Sequence, residues 1–357
     1  MDRMPHIPPP GLVSMVRLKE IASAAGVSVM TVSKALRDKP DLAPATKARI
    51  RALADQMGYV PDLSASGLRN RTSRLFGLII PATTDPIFAR VQMAIEQNAQ
   101  ELGYDLLFAQ SLGKPEREEA ALRRMLARRV DGLFVSPVYR LAQQSPLFED
   151  LRSRAVPTVI LGHPAPFCAG FPYVETDDTS ASAAATRHLI ELGHTRIAYF
   201  AGPMVSPACT ERLEGYRRAL RDANLPQDDR LIFNAGSTVE EGAAAALQFI
   251  QESPGATAIQ AASDLVAIGA ANALLNQGVR IPQDLSVVGF GNILTSEFFR
   301  VPLTTIRQPK LRLGSVAMDL MMMLLRHEPV KSRRLSAELV IRASSGPPPV
   351  GSLKSEV

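Results

Sequence analysis

The chain has 357 residues, enough for two or three domains with sizeable cores, and its 46% apolar and 21% charged content is that of a folded globular protein. Its two cysteines, Cys168 and Cys209, lie in unrelated contexts without a CxxC pair, which argues against a disulfide framework or a thiolate metal site. The net charge of +5 is unevenly placed, since Met1 to Arg74 carries +6 and the remaining 283 residues carry −1. A basic N-terminal fifth is where a phosphate-binding surface is expected.

Residues 1–15 include a proline-rich run from Pro5 to Gly11 and lack the apolar core of a secretory signal. They are expected to be a disordered leader, with Met15 as an alternative start. No stretch approaches the ~20 apolar residues that span a bilayer, so no membrane partner is expected. From Leu18 to Ala25, Leu18, Ile21, Ala22 and Ala25 recur at the spacing of one buried helix face. Gly26 supplies a turn, and Ser28 stands where its hydroxyl caps the next helix. In that second helix Val32, Ala35 and Leu36 face inward, while Val29, Met30, Ser33, Lys34 and Arg37 face outward. Two helices joined in this way form a helix-turn-helix, whose second helix can lie in the major groove of DNA. Two ordinary core helices would leave Val29 and Met30 exposed without a reason.

Pro44 opens a third helix with an apolar stripe of Ile50, Leu53, Ala54 and Met57, and Gly58 ends it. Leu63 to Arg74 is short, basic and rich in small residues, as a linker is. Beyond it, strand-like runs alternate with amphipathic helical stretches. The first set has strands at 75–80, 104–109, 132–136 and 157–161. The second has strands at 196–202, 231–233, 257–261 and 285–290, with helices near 180–192, 210–223, 239–253 and 265–277. Such alternation predicts parallel sheets with right-handed crossovers, and ligands bind outside the carboxyl ends of their strands. The expected fold class is therefore α/β: an N-terminal helix-turn-helix headpiece plus a two-lobed, doubly wound parallel-sheet core with a cleft between the lobes.

The chain resembles the LacI/GalR (lac repressor) family of transcription regulators over roughly Val16 to Gly346. The resemblance is carried by VRLKEIASAAGVSVMTVSKAL, TKARIRALADQMGYVPD, RHLIELGHTRIAYFAGP, RLEGYRRAL and PQDLSVVGF followed by PLTTIRQPKLRLG, in the family's order and spacing. It implies a headpiece at 16–61, a hinge at 62–74 that becomes helical on the operator, and a core of the periplasmic-binding-protein type at 75–345. The lobes would be 75–174 plus 307–328 and 175–306 plus 329–345, followed by a tail at 346–357. The resemblance also implies a cytoplasmic homodimer on a pseudo-palindromic operator of double-stranded DNA. By position, Val29, Met30 and Lys34 match the family's base-reading residues, and Ser28, Thr31 and Ser33 match its phosphate-facing or framework residues. Leu18 is placed with the same DNA-contacting set. Lys34 can donate to guanine O6 or N7, whereas Val29 and Met30 offer only apolar contact, for example to a thymine methyl. In the hinge, Leu68 matches the leucine that family members wedge into the minor groove, and Ala65 matches the small residue beside it. Gly67 next to that leucine departs from the pattern and predicts a hinge that is disordered without DNA. The tail has no leucine heptads, so a tetramer through a C-terminal coiled coil is not expected.

For the core, the resemblance places Thr84, Asp85 and Phe88 on the first strand-to-helix loop. It places Ser136, Gly162 or His163, Arg212, Ser237, Ser263, Gly291 and Gln308 around an effector cleft. Arg212 offers a rigid fork of donors suited to sugar hydroxyls, carboxylates or phosphates, or else an ion pair with Glu211, Glu214 or Asp264. Sugar-binding members usually carry aspartate at the position of Gly291 and often at that of Gly162. Two glycines predict a roomier cavity with fewer acceptors, and hence a larger or anionic effector such as an oligosaccharide, a uronate or a phosphorylated sugar.

An enzyme reading finds little chemistry. Gly289-Phe290-Gly291 begins like a dinucleotide fingerprint, but the third glycine is missing. His188 and His194 are six apart, which is not a same-face helical spacing. Glu175 to Asp178 reads as helix-capping carboxylates rather than a metal site. No cofactor and no metal are expected. A solute-binding protein would share the core but have no use for the first 70 or so residues.

Overall fold

A computed structural model of the protein describes residues 16–60, 72–252 and 254–349. These form two compact units, one before and one after position 71. Ala65, Gly67 and Leu68, with the rest of the expected hinge up to residue 71, lie outside the described residues, as do the leader at 1–15 and the end of the tail.

The described residues of the first unit form a cluster of three helices, α1 (Leu18–Ala25), α2 (Val29–Leu36) and α3 (Pro44–Gln56). Gly26 ends α1 in the left-handed conformation at φ +65°, which a residue with a side chain rarely adopts. The Ser28 hydroxyl accepts from the Thr31 amide at 3.1 Å and so caps α2, while Pro44 opens α3. Ile21, Ala22, Val32, Ala35, Ile50 and Ala54 are buried together, with Leu18 and Leu36 packed against them.

The second unit holds two six-stranded sheets. The first runs β11-β5-β4-β3-β1-β2 and is wholly parallel, from β1 (Leu75–Ile80), β2 (Asp105–Gln110), β3 (Gly132–Val135), β4 (Thr158–Leu161), β5 (Tyr173–Thr176) and β11 (Arg333–Leu335). The second runs β12-β10-β9-β8-β6-β7, from β6 (Ile197–Ala201), β7 (Ile232–Asn234), β8 (Ala258–Ala261), β9 (Ser286–Gly291), β10 (Thr304–Arg307) and β12 (Glu338–Val340). Only β12 is antiparallel in it. Strands β1, β3 and β4 are buried along nearly their whole length, which is why they read as continuous apolar runs.

The first lobe carries α4 (Pro86–Glu101), α5 (Pro115–Ala127), α6 (Pro146–Ser153) and, after a return crossing, α12 (Lys310–Leu325), which packs along α4. The second carries α7 (Asp178–Glu191), α8 (Pro207–Asp222), α9 (Val239–Glu252), α10 (Asp264–Asn276) and the short α11 (Leu294–Phe298). The chain crosses between lobes three times, after β5, after β10 and between β11 and β12. Two expected lobe boundaries are corrected by this pairing. β11 joins β5 in the first sheet, so residues 333–335 belong to the first lobe and not the second, and β5 extends that lobe's first segment to Thr176 rather than 174.

Asp131, just before β3, anchors the start of the core. Its carboxylate accepts the Ser73 amide at 2.7 Å and the Arg74 amide at 3.0 Å, with the Thr72 hydroxyl as a further donor.

Candidate DNA-contacting face and effector cavity

In the first unit, α2 presents Val29 and Met30 outward, at 43% and 68% exposure, while Val32 and Ala35 beneath them are fully buried. Ser28 and Thr31 share a hydroxyl contact of 2.8 Å at the start of this helix. Arg37 donates to the Ser33 hydroxyl, and the Lys34 ammonium pairs with Asp41. The helix therefore offers two apolar side chains at its N-terminal end and a cation one turn later. Leu18 is half-buried in the cluster.

In the second unit a cavity of about 560 Å³ opens between the lobes, within the usual size of a small-molecule site. The cavity sits where the strands of both sheets end. Ser136 follows β3, Gly162 and His163 follow β4, Asp178 follows β5, Gly202 follows β6, Ser263 follows β8, and Gln308 follows β10. Ile87, Phe88, Val91, Val138, Tyr139, Leu161, Val205, Phe290, Ile293 and Leu313 give most of the wall an apolar character. Asp85 caps α4, with one carboxylate oxygen accepting from the Ile87 amide at 2.8 Å and the Phe88 amide at 3.4 Å.

The polar end is a cluster drawn from both lobes. From the second lobe, Arg212 donates to Asp178 at 3.2 Å and to the Ala262 carbonyl at 2.8 Å, and its guanidinium lies 4.0 Å from the centre of the Phe290 ring. From the first lobe, His163 Nε2 lies 3.2 Å from Glu211, 3.7 Å from Glu175 and 3.8 Å from Asp178. Arg334 at the rim joins Glu175 at 3.0 Å and also pairs with Glu211. Burial pushes the Asp178 carboxyl up from its ordinary value, opposed by Arg212 and His163, and pushes Glu175 up against His163 and Arg334. Asp85 is raised in the same way. Among the described residues three buried atoms of this cluster, His163 Nε2, Asp178 Oδ1 and Arg212 Nε, have no hydrogen-bond partner, the nearby Glu211 oxygen lying outside hydrogen-bond geometry for His163. Such atoms call for a partner, because leaving them unmatched costs about 1–3 kcal/mol each.

A profile of periplasmic binding proteins and the sugar-binding domain of the LacI family matches residues 73–342, and one of bacterial regulatory proteins of the lacI family matches 17–62. The chain belongs to the LacI family. It is 32% identical over 313 residues to the HTH-type transcriptional repressor PurR of Vibrio atlanticus (strain LGP32), covering 86% of this chain and 91% of that protein. It is equally 32% identical over 331 residues to the repressor CytR of Escherichia coli (strain K12), covering 92% and 96%. Its fold is similar to that of the lac repressor dimer bound to operator and the anti-inducer ONPF, with a TM-score of 0.81, 26% identity and coverage of 93% and 100%. It is also similar to a CelR-cellobiose complex, with a TM-score of 0.69, 29% identity and coverage of 92% and 99%.

Within this LacI-family core, Asp85, Phe88, Ser136, His163, Arg212, Ser237, Ser263 and Gln308 stand in the cavity wall, and Gly162 with them. Two expected residues do not. Thr84 is exposed on the loop before Asp85, and Gly291 turns its carbonyl to the Lys310 ammonium at 2.6 Å. The expected reading of the two glycines also needs correction. Gly162 has φ +101° and Gly291 φ +141°, so both serve the backbone, and a Cβ on Gly162 would stand 3.3 Å from the Tyr139 hydroxyl. Nor is the cavity poor in acceptors, because Glu175 and Asp178 supply carboxylates. Of the run Glu175 to Asp178, only Asp177 caps α7, through the Ser180 amide at 3.1 Å. The partners considered for Arg212 are engaged elsewhere. Glu211 meets Arg334, Glu214 meets Arg221 at 2.6 Å, and Asp264 accepts from Ser296, Thr305 and the Ile293 amide.

Proposed function

We propose that this LacI-family regulator represses transcription as a homodimer on a two-fold symmetric operator in the cytoplasm, and that a small molecule in the inter-lobe cavity is its effector. The observation that carries the effector reading is the buried cluster of His163, Asp178 and Arg212, residues that line one cavity from two lobes and carry atoms unmatched among the described residues. A ligand touching both sides would have a different affinity for each relative position of the lobes, and ligand and DNA affinities are then linked reciprocally. In the headpiece, Val29, Met30 and Lys34 would read base edges, with Leu18, Ser28, Thr31 and Ser33 supporting contacts to the backbone. Leu68 would enter the minor groove, with Ala65 as the small residue beside it. The arrangement serves binding rather than catalysis: Arg212 and Asp178 are bound to each other rather than set as an acid and a base.

Selection from a random duplex library, followed by sedimentation of the complex, tests this reading. The expected result is an enriched inverted repeat bound by two chains. Enrichment of an unsymmetrical site, or of none, refutes it.

A further inference from the structure

The charge at the polar end of the cavity restricts what can bind there. Arg212 donates from one terminal nitrogen to Ala262 and from the other to Asp178, lays one face on Phe290 and keeps its buried Nε unmatched among the described residues, while Arg334 at the rim is paired with Glu175 and Glu211. The two terminal nitrogens that would grip a carboxylate or phosphate side by side thus each already hold one acceptor, with one N–H left on each. No lysine stands in the wall among the described residues. Glu175 and Asp178 are in the wall, with the more exposed Glu211 at the rim 3.2 Å from His163, and Asp178 Oδ1 is wholly buried without a donor among the described residues. An anion placed here would meet carboxylates within a few ångströms in a low-dielectric site, a repulsion that water screens weakly. Phe88, Tyr139, Phe290 and the aliphatic side chains form the apolar part of the wall, with Phe290 against Arg212 and the Tyr139 hydroxyl donating to the His163 carbonyl at 2.9 Å, a surface suited to an apolar body.

We propose that the cavity takes a ligand with an apolar body and an uncharged or cationic head that donates hydrogen bonds to Asp178 and Glu175 beside His163, and that it rejects sugar acids and phosphorylated sugars. The proposal rests on the effector reading of this cavity. It replaces the anionic effector that the two glycines had suggested, because acceptors arrive from β5 and the start of α7 instead.

Thermal-shift measurements on the full chain test it, using a metabolite library sorted by charge together with matched pairs. The pairs are phenyl β-glucoside with phenyl β-glucuronide, adenosine with adenosine monophosphate, and tryptamine with indole-3-acetate. The expected result is that every stabilising compound is neutral or cationic and that its anionic counterpart gives no shift at equal concentration. For the best binder, Glu175→Gln is expected to weaken affinity on the order of tenfold. Glu211→Gln, at the more exposed rim, gives a smaller loss in a variant whose folding is not at risk. Stabilisation by the acid members overturns the proposal while leaving the effector reading in place. Absence of any shift across the library, with operator binding retained, overturns the effector reading itself.

Discussion

Removing the Asp178 carboxylate with Asp178→Ala isolates the buried pair at the centre of the cavity. Asp178 is 1% exposed and the Arg212 side chain 14%, so neither charge is relieved by bulk water. Breaking such a pair from one side leaves the other charge buried, at a cost of about 3–5 kcal/mol, with the low end expected where a cavity admits water. For a core of this size that is a fall in Tm of roughly 10 °C. The reverse variant, Arg212→Ala, should behave differently. Burial already pushes Asp178 up, and without Arg212 its carboxyl rises further, so the folded state can take a proton that the unfolded state does not. Arg212→Ala should therefore gain stability relative to the parent as pH falls, compared at pH 8 and 5.5, whereas in Asp178→Ala the guanidinium cannot lose its proton and no such gain is expected. The double variant should be less destabilised than the sum of the singles, with a coupling on the order of 2 kcal/mol. Urea unfolding of all four proteins at both pH values provides the numbers. A cost below about 1 kcal/mol for Asp178→Ala, or additive singles, would refute the reasoning.

Asp41→Asn frees the Lys34 ammonium and removes a negative charge near the DNA-contacting face, so operator affinity should rise several-fold at low salt, and Lys34→Ala should lower sequence-specific binding on the order of tenfold. Fluorescence anisotropy with operator and scrambled duplexes reads both, and equal losses on the two duplexes would reduce Lys34 to a phosphate contact. His194 is buried, with Nδ1 2.8 Å from the Thr257 hydroxyl and Nε2 2.8 Å from the Gly346 carbonyl, and burial lowers its pKa below the usual 6.5. The unfolded chain thus binds the proton first, so stability is complete above about pH 6.5 and declines as pH falls through that value, by at most about 1.4 kcal/mol per pH unit for this group. His194→Gln should flatten the decline between pH 7 and 5.5 in thermal melts, and an unchanged slope would dismiss His194 as its source. Gly291→Asp would place a Cβ 3.4 Å from an Asp264 oxygen at φ +141°, so it should destabilise the core by about 1–3 kcal/mol without improving the binding of any neutral sugar. A gain in sugar affinity by calorimetry would contradict that.

The headpiece was legible because its information is local. The i, i+3, i+4 spacing of Leu18, Ile21 and Ala22, the Gly26 turn and the Ser28 cap lie within one short stretch. The central strands were legible for a similar reason, each being an apolar run buried on both faces. Strands β5, β10, β11 and β12 were not, since YVET, TTIR, RRL and ELV are three or four residues long and carry polar side chains. Their strand character comes from neighbours far along the chain. The same division holds in the cavity. Ser136, His163 and Ser263 are found by following strand ends, but Asp178 and Glu175 sit at the start of a helix, where local rules favour a capping role. Only the return of α8 beside α7 puts Arg212 against Asp178, a pairing across 34 positions that no periodicity encodes.

The bridges between lobes are polar, and this decides what can move them. Arg334 reaches Glu211 from one lobe to the other, His163 reaches Glu211 and Asp178, and Lys310 at the start of α12 holds the carbonyls of Gly291 at 2.6 Å and Asn292 at 2.9 Å. The Arg334 bridge is partly open to solvent, with side chains 43% and 28% exposed, and such pairs contribute little individually. A ligand that satisfies His163 and Asp178 at once would add contacts to both lobes of a size comparable with these bridges. The first lobe also holds, through Asp131, the residues at which the chain enters the core. A small change in the position of that lobe is therefore passed to Ser73 and Arg74 through hydrogen bonds of 2.7 and 3.0 Å, directly beside the segment expected to contact the operator.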